Sequence, residues 1–183
     1  MNVQAALTGQ YHAALNMLKQ AIEQCPAELW DGGRPHPVPL PEGEGVAYPV
    51  PFWRVAYHTL FFTHLYLQQN EEAFCPWEHH RDGHQDLPWP PGIGPKIDDP
   101  YMKTEILDYW RLVDGMVDAG VNRLDLDARA SGFSWHKTIP KFEHQIHNIR
   151  HIQHHAAVLS GRLRLANGTD VRWVRTNAEM YRP

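Results

Sequence analysis

The residues in this chain that are best suited to chemistry are histidines in one helix-forming segment. His151 and His155 lie four positions apart in the segment of residues 142–159, which also contains His144, His147 and His154. Positions i and i+4 lie one turn apart on the same face of an α-helix, so two imidazoles with this spacing can bind one metal ion. The pair therefore predicts a metal-binding face on this helix.

A third histidine, His58, lies far upstream in an apolar segment, on the side of its predicted helix that carries Phe62 and Leu65. A buried polar ring without a partner costs roughly 1–3 kcal/mol, and a hydrogen-bonded core histidine is the simpler explanation of His58 alone. Together with His151 and His155, it favours a metal site. Three neutral imidazoles suit Zn or Ni and leave a coordination position open, which is typical of a catalytic or binding site.

Other metal sites have weaker support. His147 with His151 is a rival pair at the same spacing and ranks second. A proline-rich stretch with a single thiolate contains a looser cluster, formed by Cys75, His79, His80 and His84. A di-iron bundle requires ExxH motifs, but Glu143 is followed three positions later by Ile146, so this alternative fails. No serine-hydrolase elbow, P-loop or dinucleotide-binding fingerprint is present.

Four predicted helices must position these histidines. Apolar residues at helical spacing predict helices over about 3–24, 52–69, 101–119 and 141–165, with stops at Pro26, Gly120 and Asn167-Gly168. Residues 31–51 and 71–100 are rich in proline and predict long irregular connections, and a C-terminal tail follows the last helix. With no strand alternation and no internal repeat, the pattern predicts an all-α fold, a four-helix bundle in one domain spanning residues 1–183.

The apolar residues of the predicted helices divide into core and pocket candidates. On the fourth helix, the expected core side comprises Phe142, Ile146, Ile149, Ile152, Ala156 and Leu163, and the five histidines occupy a polar, partly solvated side. Aromatic side chains near the proposed site are candidates for an apolar pocket, although plain core packing is the commoner role; they are Trp53, Tyr57, Phe61, Trp77 and Trp89.

The overall composition limits the classes of partner that the protein can bind. A net charge of −4 with scattered arginines lacks the concentrated basic surface that nucleic acid or anionic lipid requires, so we expect neither partner. The sequence contains no secretory signal pattern and no apolar stretch of the ~20 residues that a membrane span needs. Two cysteines without a CxxC spacing favour a reducing, cytoplasmic location, with a Cys25–Cys75 disulfide as a minor alternative.

The segments 53–60 and 151–155 resemble the DinB/YfiT-like superfamily of metal-dependent helical proteins. Members are four-helix bundles in which one histidine of the second helix and an HxxxH pair of the fourth helix bind a divalent metal. The resemblance implies that His58, His151 and His155 are the three ligands here. The chain departs from the family after the last ligand, where residues 156–159 replace an Arg-Gly-Gln-Leu-like stretch.

The resemblance also implies an activity. Family members carry out thiol-dependent transfer with a low-molecular-weight thiol, or metal-dependent hydrolysis or isomerisation, and they often form homodimers. A bound Zn or Ni lowers the pKa of a coordinated water or thiol, so both activities fit a site with three histidines. His147 and His154 are candidates for supporting proton donors. The alternative from another class is a non-catalytic bundle that binds metal or a small ligand and is stabilised by it.

Overall fold

The structure is a computed structural model, and it describes residues 2–32, 50–87, 97 and 99–176. All secondary-structure elements found in these residues are helices, so the all-α expectation is confirmed. The α-helices are α1 (Val3–Gln24), α2 (Ala27–Trp30), α3 (Phe52–Tyr66), α4 (Lys103–Arg123) and α5 (Lys141–Asn167), with one-turn 3-10 helices at Glu71–Ala73 and Ser134–His136. Most of the predicted 31–51 connection, Trp89 and the end of the tail lie outside the described residues.

The ends of α1 and α5 follow local sequence signals. The side chain of Asn2 accepts a hydrogen bond from the backbone N–H of Ala5 at 2.9 Å and caps α1. At the other end of the chain, Gly168 adopts a left-handed conformation with φ of 74° and donates its N–H to the carbonyl of Arg164 at 3.0 Å. This is the αL termination for which glycine is favoured, and it occurs where Asn167-Gly168 predicts it.

The prediction that Gly120 ends the third long helix is wrong. Helix α4 continues through Gly120 to Arg123. Gly120 is buried, and a Cβ atom at this position would lie 3.5 Å from the Cβ of Leu67. Glycine in a helix costs up to about 1 kcal/mol relative to alanine. We attribute the continuation of the helix to packing against Leu67 at ordinary van der Waals distance, a tertiary contact that the local sequence does not reveal.

The four long helices pack against one another around a shared core. Helix α1 contacts α4 and α5, and α3 contacts the same two helices. Nearly all of α3 is buried, as its apolar sequence predicts; only His58 and Phe62 are partly exposed. Both residues lie where α3 faces α5, so the partly open side of α3 coincides with the histidines.

The buried face of α5 differs from the predicted one. Phe142 and Ile146 are each 41% exposed, whereas His144 is fully buried. The reason is a polar network inside the core: Tyr11 donates its hydroxyl to Oε1 of Gln145 at 2.8 Å, and Asn148 donates its amide to the Tyr11 oxygen at 2.9 Å. Neighbouring helices therefore pack on polar side chains, of which Tyr11, Gln145 and Asn148 hydrogen-bond to one another. The remaining expected core residues are buried or half-buried, namely Ile149, Ile152, Ala156 and Leu163.

Two further expectations concern the cysteines and the membrane. Cys25 is buried, Cys75 is exposed, and both are free thiols. The disulfide considered as a minor alternative is therefore absent between these two residues. Among the residues that the structure describes, no helix combines the length and the apolar character needed to cross a membrane.

Candidate metal centre

Three histidines from two helices meet at the contact between α3 and α5. His58 comes from α3, and His151 and His155 come from successive turns of α5. One ring nitrogen from each residue lies within 4.8 Å of the other two. The closest pair is Nε2 of His58 and Nε2 of His151, 3.0 Å apart. The structure therefore brings together the three residues that the sequence and the family resemblance single out.

The spacing of these nitrogens suits a single small cation. Zinc binds imidazole nitrogen at about 2.0–2.1 Å, and tetrahedral geometry then requires neighbouring nitrogens to be about 3.3 Å apart. The observed 3.0 Å pair and the 4.8 Å upper limit bracket this distance. Only small movements of side chains would bring the three nitrogens to zinc-binding distances. The donor set, three neutral imidazoles, is also one that Zn and Ni favour.

A backbone carbonyl fixes the tautomer of His58. Nδ1 of His58 lies 2.7 Å from the carbonyl oxygen of Gln85. A carbonyl oxygen only accepts hydrogen bonds, so Nδ1 of His58 carries the proton and Nε2 presents a lone pair. That lone pair faces His151 and His155. A hydrogen bond from the far ring nitrogen to a carbonyl is the usual support for a metal-binding histidine, because it orients the ring and raises its basicity.

The surroundings of the three histidines keep them neutral. The ring of Phe62 lies 4.8 Å from that of His58 and 6.1 Å from that of His151, between centroids. Burial lowers the pKa of His58 to about 4, of His151 to about 2 and of His155 to about 3. Neutral imidazole is the form that binds metal, so these environments favour binding near neutral pH. Nδ1 of His151 is buried without a hydrogen-bond partner among the described residues.

The lowered pKa values predict that the metal-free protein is destabilised by mild acid. In the unfolded chain these histidines titrate near 6.5, so between that pH and their folded values the unfolded state binds more protons. Stability is therefore present above about pH 6.5 and is lost as the pH falls. Each such histidine contributes up to about 1.4 kcal/mol per pH unit in this window. We expect urea unfolding with chelator present to give a clearly lower free energy of unfolding at pH 5 than at pH 7.5.

The variant His58→Gln provides the matched comparison, because it removes one of these titrating groups and should flatten the pH dependence. His12 acts in the opposite direction. Its hydrogen bond to Asp114 raises its pKa, so its contribution is present below pH 6.5 and is lost as the pH rises. His12 is a single group, whereas several histidines shift in the other direction. The free energy of unfolding should therefore still fall as the pH falls. An unfolding free energy that stays constant from pH 7.5 to pH 5 would contradict the prediction.

The rival ligand His147 and the candidate proton donor His154 are not members of the group formed by His58, His151 and His155. His147 is grouped with His136 and His144 instead of His58, so the structure does not pair it with His151 at this site. His154 is exposed, with its ring centroid 5.0 Å from that of His155. Neither residue hydrogen-bonds to the three histidines among the contacts of the described residues. Their supporting role stays a prediction.

The looser cluster in the 71–100 connection does not form a metal site among the described residues. Nδ1 of His80 is 2.6 Å from the hydroxyl of Tyr57, and Nε2 of His84 is 2.9 Å from the carbonyl of Asp99. These histidines are satisfied by structural hydrogen bonds, while Cys75 is exposed. The connection has a different role, because its Gln85 supplies the carbonyl that orients His58. No sequence signal marks Gln85, since a backbone carbonyl is common to every residue.

The aromatic residues proposed to line a pocket are core residues where the structure describes them. Trp53 and Tyr57 have no exposed surface, and Trp77 is stacked on Tyr109 with ring centroids 4.6 Å apart. Phe61 is also largely buried. The apolar wall of the site is instead provided by Phe62, which is half-buried beside His58.

The three histidines thus form a partly exposed group, drawn from two helices, whose geometry and protonation state fit one divalent cation. Comparison of the chain with protein-family models, with curated proteins and with solved structures gives no match in any of the three. The resemblance to the DinB/YfiT-like superfamily stays a prediction made from the sequence.

Proposed function

We propose that the protein is a metal-dependent enzyme of the DinB/YfiT-like kind, with a four-helix bundle that holds Zn or Ni through His58, His151 and His155. The observation that carries the proposal is the convergence of three imidazole nitrogens within 4.8 Å, with the lone pair of His58 Nε2 oriented by the Gln85 carbonyl. The packing of α1 and α3 each against α4 and α5 supports the bundle.

The protein groups have distinct roles in this proposal. The three histidines bind the cation and leave at least one of its coordination positions for a substrate. A bound Zn or Ni supplies Lewis acidity, which lowers the pKa of a water or thiol at neutral pH. Phe62 covers one side of the site and limits access of bulk water there. The partial exposure of all three histidines leaves room for a small molecule to approach from solvent.

The proposed substrate class is a small thiol together with an electrophile, or an ester or amide for hydrolysis. In the thiol reaction, the sulfur of the thiol forms a bond to carbon while the leaving group departs from that carbon with the bonding electrons. The thiol proton passes to solvent. The neutral histidines are suited to bind the cation in this reaction because they add no charge of their own.

Metal content is the first test. The protein is purified without a His-tag and loaded with Zn²⁺. Both His58→Ala and His155→Ala should lose the ion at this site, with a rise of at least 100-fold in the dissociation constant. The loss of a group that only supports a ligand already weakens metal binding ~10–100-fold, and the loss of a ligand should cost more. Elemental analysis after dialysis and calorimetric titration measure this. His154→Ala is the matched control on the same helix and should bind normally. Unchanged zinc binding in either ligand variant would overturn the proposal.

Activity is the second test. The zinc- and nickel-loaded proteins are assayed with glutathione or cysteine plus 1-chloro-2,4-dinitrobenzene, and with p-nitrophenyl acetate. The proposal predicts turnover that disappears in His58→Ala and persists in His154→Ala. Metal binding that depends on His58 without turnover of any of these substrates would favour the alternative, a non-catalytic metal-binding protein stabilised by its ion.

A further inference from the structure

A second group of three histidines lies on α5, nearer its N-terminus. It comprises His144 and His147 of α5 and His136 of the one-turn helix Ser134–His136. One ring nitrogen from each lies within 4.8 Å of the other two, the same limit that holds at the first group. The ring centroid of His136 is 4.9 Å from that of His147 and 5.3 Å from that of His144.

The buried nitrogens of this group lack partners. His144 has no exposed surface, and neither of its ring nitrogens has a hydrogen-bond partner among the described residues. Nδ1 of His147 is likewise buried without a partner. Each unpaired buried polar group carries a desolvation cost, so such groups require an explanation. A cation bound between the three rings would satisfy one nitrogen of each.

Aromatic rings hold His144 in place without competing for its nitrogens. Its ring centroid is 4.5 Å from that of Tyr66 and 5.0 Å from that of Phe133. The hydroxyl of Tyr66 accepts a hydrogen bond from Nε1 of Trp135 at 3.0 Å, so its known partner is not a histidine. The aromatic contacts therefore explain how the ring is oriented, but they do not satisfy its polar atoms.

The charged neighbours of this group are cationic. Lys141 is fully buried on the same helix and donates to the carbonyl of Gln69 at 2.6 Å. Burial is the main cause that lowers the pKa of His144 and of His147, and the charges of Lys141 and Arg150 respectively lower it further. These positive charges favour neutral imidazoles, the ligand form, but they also repel a cation. A metal should therefore bind here more weakly than at the first group.

We propose that His136, His144 and His147 form a second, separate site for a divalent cation of the Zn, Ni or Cu kind. Imidazole nitrogen is a suitable ligand for each of these ions. Along α5, the midpoints of the two histidine pairs are about 11 Å apart at 1.5 Å per residue, too far for the ~3.5–4 Å spacing of a two-metal centre. Because His136 belongs to the connection between α4 and α5, the ion would fasten that connection to α5.

Zinc stoichiometry tests this inference separately from the proposed function. We expect two zinc ions in the full-length wild-type protein, one in His58→Ala, one in His136→Asn and none in the double variant. His136 is chosen because it lies on a connection and is partly exposed, whereas replacing buried His144 could disturb folding. His79→Ala is the control for an exposed histidine, since its side chain is 60% exposed. Elemental analysis and calorimetric titration give the counts.

A second readout reports on the connection itself. In His58→Ala protein, zinc should slow amide hydrogen exchange of residues 131–139, and His136→Asn should remove that protection. A single zinc that is lost in His58→Ala and kept in His136→Asn would overturn this inference while leaving the proposed function intact. The reverse pattern would overturn the proposed function alone. Two zinc ions that both survive His136→Asn would also overturn the inference.

Discussion

Zinc at 100 times its dissociation constant is expected to raise the free energy of unfolding by about 2.7 kcal/mol, and His151→Ala is expected to abolish that rise. The ligands come from α3 and α5, and His58 and His151 are 93 positions apart in the chain, so the unfolded state cannot present all three together. Binding to the folded state alone therefore stabilises it. For a chain of this size, 2.7 kcal/mol corresponds to a melting temperature about 5–10 °C higher.

The measurement is best made in the His136→Asn background, where the second group no longer contributes. Chemical or thermal unfolding is followed with chelator, then with zinc, in that variant and in His136→Asn combined with His151→Ala. His154→Ala in the same background is the control that should keep the full rise, because its side chain is exposed on the same helix. An equal rise with and without His151 would show that this residue is not a ligand.

Gly132→Ala is expected to cost about 3 kcal/mol of stability, the largest effect of any single glycine replacement described here. Gly132 has φ of 86°, and a Cβ atom would lie 2.3 Å from the carbonyl oxygen of Gln69 and 3.0 Å from the Cα of Asn70. The left-handed conformation costs alanine about 1–2 kcal/mol, and displacing packed backbone adds about 1–3 kcal/mol. The Gln69 carbonyl also accepts the hydrogen bond of buried Lys141, so it cannot move freely.

Two other glycines separate these contributions. Gly168→Ala carries the strain of a left-handed conformation, φ of 74°, without any atom within 4 Å of the new Cβ, so we expect a loss of about 1 kcal/mol. Gly161→Ala lies in helix α5 with open space around it and should stabilise by about 0.5–1 kcal/mol. Equilibrium urea unfolding gives all three values. Equal losses in Gly132→Ala and Gly168→Ala would show that the close approach to Gln69 has no energetic effect.

Gly132→Ala also bears on the second histidine group. The carbonyl of Gly132 accepts a hydrogen bond from the N–H of Glu71 at 3.2 Å, which ties the connection before α5 to the residues that follow α3. His136 follows four residues later on this connection. A displaced Gly132 should therefore weaken zinc binding at His136 more than at His58, a difference that the stoichiometric titrations can detect.

The features of this protein that depend on neighbours in sequence could be predicted from the sequence. The i, i+4 spacing alone places His151 and His155 on one helical face, and the termination of α5 at Gly168 follows from the backbone freedom of that residue. The buried character of α3 follows from its apolar composition. Each of these depends on interactions within one or two turns of a helix, which the sequence determines directly.

The tertiary structure decided which faces meet. Phe142 and Ile146 were expected in the core, but hydrogen bonds from Tyr11 to the polar side of α5 bury that side instead, and leave the two apolar residues partly exposed. The same orientation of α5 places His144 in the interior next to His136, and no local sequence pattern indicates that these two residues meet. The contacts of His58 with His151 and with the carbonyl of Gln85 likewise depend on how α3, α5 and the 71–100 connection pack. Contacts between distant segments are determined by packing and not by spacing in the sequence.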